Sequence, residues 1–150
     1  MNTHDTAEGN ADLSCCDSAS ACVFAKALLA RSAACALATR RSVAERTLVE
    51  CSSPVARTNC GTLAALLHER ARFALRLPPP GRPLMHMQAL RLQCGGLAGL
   101  RQVLGSPDLD VHGLVGLTHQ CHGSLTNLPW QALVEHLAAW QAPRRRQIPN

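Results

Sequence analysis

The sequence predicts an all-α protein, a single domain of about five helices behind a disordered acidic N-terminal tail. Three observations carry this expectation. Ala, Leu and Arg, which lose little rotamer freedom in a helix, dominate the composition, whereas aromatic strand formers are scarce, with no tyrosine, two Phe and two Trp. Apolar residues recur at steps of three and four over several stretches. Pro, Gly, Ser and Asp then fall where those stretches begin and end. A chain of 150 residues suits one compact domain that can bury a core without disulfides to hold it.

Residues 1–20 are polar and without periodicity, carry Asp5, Glu8, Asp12 and Asp17 with no Lys or Arg, and include Cys15-Cys16. They read as a flexible acidic tail, followed by a helical domain over residues 21–142. Its first helix is expected from Ala21 to Ala38, with Phe24, Leu28, Arg31 and Cys35 along one stripe. Arg40-Arg41-Ser42 reads as a turn or short loop and Thr47-Leu48-Val49 as a brief extended connection. Too little strand-like sequence surrounds them for a sheet.

Ser53-Pro54 has the form of an N-cap followed by proline at the first helical position. The helix it opens should run to about Leu75, with Ala56, Cys60, Leu63, Leu67 and Ala71 on the inner face. Pro78-Pro79-Pro80-Gly81-Arg82-Pro83 makes a stiff connector that cannot be helical. Helix resumes at about Leu84 and runs through Gly95-Gly96 to about Leu104. Each of these glycines costs about 1 kcal/mol relative to Ala, so their presence suggests close approach of another backbone or of a bulky centre beside Cys94. Gly105-Ser106-Pro107 ends that helix, and Asp108 or Asp110 can cap the next, which carries Val111, Leu114, Val115 and Thr118. The last helix follows Asn127-Leu128-Pro129 and turns Trp130, Leu133, Val134, Leu137 and Trp140 inward. Pro143 opens a basic tail, 143–150, that contains Arg144-Arg145-Arg146.

The net charge of +5 is uneven. Between Cys51 and Leu104, Arg57, Arg70, Arg72, Arg76, Arg82, Arg91 and Arg101 face Glu69 alone. Such a surface suits an acidic protein partner, redox or otherwise. Nucleic-acid binding is the least favoured of the function classes, because no aromatic residues interleave with the arginines to stack bases. No secretory signal or membrane span is expected, since the one early apolar stretch follows acids and is interrupted by Lys26 and Arg31. A cytoplasmic location follows, with reduced or metal-bound cysteines.

No catalytic signature is present: the chain lacks G-x-S-x-G, H-E-x-x-H, a Walker loop and a strand-linked G-x-G-x-x-G. The eight cysteines are the chemistry on offer, about one residue in twenty. Cys51 should lie just outside a helix N-terminus and Cys60 two turns inside it. Such an N-terminus stabilises negative charge and so suits an anionic metal–thiolate centre, with Arg57 as a counter-charge behind the ligands. Cys35, Cys51, Cys60 and Cys94 are the expected ligands. An iron–sulfur cluster suits this dispersed set better than zinc, whose structural sites use closely spaced pairs. The competing reading is that each cysteine fills the core as a small apolar residue, leaving a metal-free helical interaction module. A weaker second set is His119, Cys121 and His122, at a helix end where histidine is also welcome for its charge alone.

Overall fold

The computed structural model describes residues 19–143. The acidic and basic tails expected at the two ends, with Cys15-Cys16 and Arg144-Arg145-Arg146, lie outside the described residues. In order come α1 (Ala25–Leu29), β1 (Ala38–Val43), β2 (Arg46–Cys51), α2 (Pro54–Ala71), α3 (His86–Leu104), α4 (Val111–His122), a short 3-10 turn (Leu125–Asn127) and α5 (Trp130–Ala139). The protein is predominantly helical but not all-α, because β1 and β2 form an antiparallel hairpin.

The hairpin corrects the expectation of a loop. Its register runs from Ala38 opposite Cys51 to Val43 opposite Arg46, leaving Ala44-Glu45 as a two-residue turn. Ala44 takes the positive φ, 54°, that such turns need at their first central position. β1 is exposed from Thr39 to Val43. With neither face buried there, no alternation of apolar and polar residues was needed, and none marks the strand. An ion pair at 2.8 Å joins Arg41 to Glu50 across it.

The first helix is also shorter than expected, five residues instead of Ala21 to Ala38. Arg31 adopts φ 60° and the Ser32 N–H closes back onto the Ala27 carbonyl at 3.0 Å, which ends the helix. The following alanine-rich stretch is recruited elsewhere. Ala34 N–H donates to Leu109 O, and Val111 N–H donates to Ala34 O, both at 2.9 Å. Helix propensity in that stretch is overridden by pairing with a segment far along the chain.

The remaining helices follow their caps. Ser53 Oγ accepts from Ala56 N–H at 3.2 Å, with Pro54 in the first turn of α2. Asp110 caps α4 through Gly113 N–H at 3.1 Å. α3 does run through its glycines, and the reason is close packing. A methyl group on Gly99 would stand 2.9 Å from Leu133 O, and one on Gly95 3.2 Å from Leu137 O, so α5 lies directly on α3. On Gly96 the same group would meet the Leu67 side chain of α2 at 2.7 Å. The core between these helices holds Leu63, Leu67, Leu97, Leu100, Leu114, Leu133 and Leu137, and Phe24 joins it from the start of α1. Among the described residues no helix is long and apolar enough to cross a membrane.

Candidate metal centre

Four thiols, those of Cys22, Cys35, Cys51 and Cys60, line one cavity. Its walls are apolar, built from Val23, Phe24, Leu28 and Val111, while Arg57 and His112 also border it. The cavity is small, about 20 Å³, room for about one water molecule. All four cysteines are half-buried and free.

Each thiol comes from a different piece of chain, held by its own hydrogen bonds. The segment before α1 lies along β2: Cys22 N–H donates to Val49 O at 2.9 Å and Cys51 N–H to Ser20 O at 2.7 Å, which sets Cys22 opposite Val49 and on a diagonal from Cys51. Cys51 closes β2 and its Sγ–H reaches Ser53 O at 3.2 Å, at the entry to α2. Ser52 ties the same corner to the Leu37 carbonyl through its N–H at 2.9 Å and its hydroxyl at 2.8 Å. Cys60 stands on α2 one turn beyond Ala56, on the face turned to the cavity.

Cys35 depends on Asp110. The carboxylate accepts Ala36 N–H on Oδ1 at 2.9 Å and Gly113 N–H on Oδ2 at 3.1 Å, joining the loop to the start of α4. With Ala34 paired to the same segment, the residues on both sides of Cys35 are pinned.

The electrostatics follow from burial and from the thiols' mutual proximity. Burial pushes the Cys60 thiol up to about 12, and the neighbouring Cys35, Cys22 and Cys51 push in the same direction. Cys22 is raised mainly by burial and further by Cys35 and Cys51, against the Phe24 backbone N–H and Arg57, which lower it. Without a counter-charge in the cavity these two thiols stay protonated at neutral pH.

Three of the four cysteines anticipated as ligands thus meet, and Cys94 does not join them. It is fully buried within α3 among the core leucines and does not line the cavity. Cys22 lines the cavity in its stead. Nothing local in the sequence distinguishes Cys22, which stands near Cys15-Cys16 beside the acidic tail; its role depends on pairing with β2. As the side chains stand, no three His, Cys, Asp or Glu among the described residues are so disposed that they could hold a metal ion. That applies equally to His119, Cys121 and His122: the first two are exposed on the last turn of α4, and His122 is half-buried beside them.

Three of the arginines are engaged at separate points of the fold. Arg57 Nε–H donates to Ala21 O at 2.7 Å, Arg91 reaches Ala138 O, and Arg70 lies over the Trp130 ring at 5.8 Å. Of the histidines, His68 Nε2 bonds with Pro78 O at 2.9 Å and His86 Nδ1 with Lys26 Nζ at 2.8 Å. Comparison of the chain with family models, with curated proteins and with solved structures found no match.

Proposed function

We propose that this protein is a small cysteine-liganded metal-binding protein that holds an iron–sulfur cluster through Cys22, Cys35, Cys51 and Cys60, in a redox or accessory role for a protein partner. The observation that carries the reading is the convergence of four thiols, from four separate segments, on one apolar cavity bordered by a cation. The nature of the centre is argued from spacing. The cysteines are dispersed along the chain with no closely spaced pair, which favours a cluster over structural zinc, and the cavity as it stands, about 20 Å³, would have to open to admit one.

The second reading is the metal-free helical module, favoured by the burial that keeps Cys60 protonated and by the strongly exposed Phe73, Met85 and Met87, which suit a protein contact. One experiment separates the two. Protein purified without oxygen and without a metal-affinity tag is assayed for iron, zinc and acid-labile sulfide, with its visible spectrum. Iron and sulfide in equal amounts, lost together in Cys22→Ala or Cys60→Ala, is the expected result. Zinc without sulfide makes the centre a structural ion. Folded, monodisperse protein with neither metal overturns the proposal and leaves the interaction module.

A further inference from the structure

A second cavity, away from the cysteines, lies along the contact of α3 with α5. It is an open groove of about 550 Å³. That falls within the roughly 300–1,000 Å³ usual for small-molecule sites. The two helices are antiparallel there, Gly95 facing Leu137 and Gly99 facing Leu133, so Arg101 of α3 and His136 of α5 border the same space. Small residues, Ala98 and Ala139, leave room in it. At the end of α3 the chain reverses through Gly105, φ 62°. Gly105 N–H donates to Gln102 O at 3.2 Å and Ser106 N–H to Arg101 O at 3.0 Å. The turn brings Ser106 back to the groove and engages two carbonyls that would otherwise repel an anion at the helix end.

The polar groups at the groove are donors. Arg101, Gln102, Ser106 and His136 border it and no Asp or Glu does. The half-buried Arg101 side chain makes one long hydrogen bond among the described residues, Nη1 to Ser32 O at 3.5 Å, and no ion pair. Ser106 Oγ accepts from Asp108 N–H at 3.2 Å, which leaves its own hydrogen to donate. The acids nearest in sequence are placed otherwise: Asp108 Oδ1 accepts Asp110 N–H at 3.0 Å, and Glu135 borders a different groove beside Arg70 and Trp130. Trp140, half-buried, adds an aromatic wall. From this arrangement we propose that the groove binds a small aromatic oxyanion, a carboxylate or a phosphate ester, its charge taken by Arg101 with Ser106 and Gln102 and its ring laid against Trp140. A guanidinium fork matches the oxygens of either anion, and an indole face suits a ring. The proposal is independent of any centre at the cysteines.

The intact chain is titrated by calorimetry with benzoate, phenyl phosphate, inorganic phosphate and benzyl alcohol. One or both aromatic anions should saturate a single site with Kd below about 1 mM, and the tighter of the two identifies the anion. Inorganic phosphate and the neutral alcohol should bind at least about tenfold more weakly. Arg101→Gln should weaken the aromatic anion about tenfold or more, whereas Arg82→Gln, at an exposed site on the proline-rich connector, should leave it unchanged. Because Arg101 also touches Ser32, Ala139→Phe is the second variant: Ala139 is exposed, and a phenyl group there fills the groove while every donor stays, so binding should be lost. No saturable binding of either aromatic anion up to about 10 mM overturns the proposal. So does binding that survives both Arg101→Gln and Ala139→Phe, that falls equally in Arg82→Gln, or that inorganic phosphate matches.

Discussion

Replacing Gly99 by Ala sets two known effects against each other at the α3–α5 contact. In an open helix the change stabilises by about 1 kcal/mol, because Ala loses less backbone freedom than Gly. At this contact the added methyl group meets the Leu133 carbonyl oxygen at 2.9 Å and the His136 Cβ at 3.4 Å. A backbone oxygen cannot swing aside as a side-chain tip can, so α5 must move away from α3 along their shared face. Overpacking of that kind costs about 1–3 kcal/mol, and the upper half of the range applies because the obstacle is main chain. The net expectation is a loss of about 1–2 kcal/mol. For a chain of this size each kcal/mol moves Tm by about 2–4 °C. Gly116→Ala, in α4 where a methyl group meets nothing within 4 Å, supplies the contrast and should raise stability by about 1 kcal/mol. Thermal and urea unfolding of both variants, followed by far-UV circular dichroism at equal metal content, measures the difference. A Gly99→Ala protein more stable than wild type would show that the two helices are not in backbone contact.

Three further outcomes are expected. Cys94→Ala should leave iron and sulfide per chain at the wild-type value while lowering the urea midpoint, since Cys94 is fully buried in the core away from the cavity; loss of metal in this variant contradicts ligation by Cys22, Cys35, Cys51 and Cys60 alone. Asp110→Ala removes the α4 cap and the acceptor for Ala36 N–H together, at about 2–3 kcal/mol in sum, and should speed iron release to a chelator because Cys35 is freed; an unchanged unfolding midpoint refutes it. In metal-free, reduced protein the raised Cys60 and Cys22 thiols keep protons that the unfolded chain gives up, so stability should fall as pH rises from 9.0 towards about 12 and show no such slope below that window. Urea midpoints at about pH 8 and about pH 10 measure the slope, and a midpoint that rises instead would contradict the burial of these groups.

Most of the helical framework was legible because it rests on local signals. Ser53-Pro54, Asp110 and Gly105 mark their helix ends, and the apolar spacing of α2, α3 and α5 matches the faces they bury. The glycines of α3 announced a close backbone approach without naming what approached. What escaped was whatever depended on distant partners. β1 carries no alternation because both its faces meet solvent along most of its length, and the run after α1 forsakes helix to pair with residues near Leu109. The cavity likewise gathers a set of four cysteines that differs in one member from the set the helix stripes suggest. Cys94 sits on a strongly apolar helix stripe and looked central, yet its helix position sends it into the leucine core; Cys22 had no stripe and is brought to the cavity by β2.

The order in which the four cysteines follow one another has a mechanical consequence. They fall within thirty-nine consecutive residues, 22 to 60, separated by thirteen, sixteen and nine positions, whereas the seam of Gly95 and Gly99 against α5 is made by residues after Met85. A centre bound by all four would act as a knot tying three successive loops at one point, and each loop is short enough that its closure is favourable once the first is made. The hairpin, which buries little of its own surface, would then owe its persistence to that knot instead of to a core. If such a centre is bound, its loss should loosen the exposed hairpin first, while the seam and the deeply buried Phe24, Ala27 and Leu28 hold.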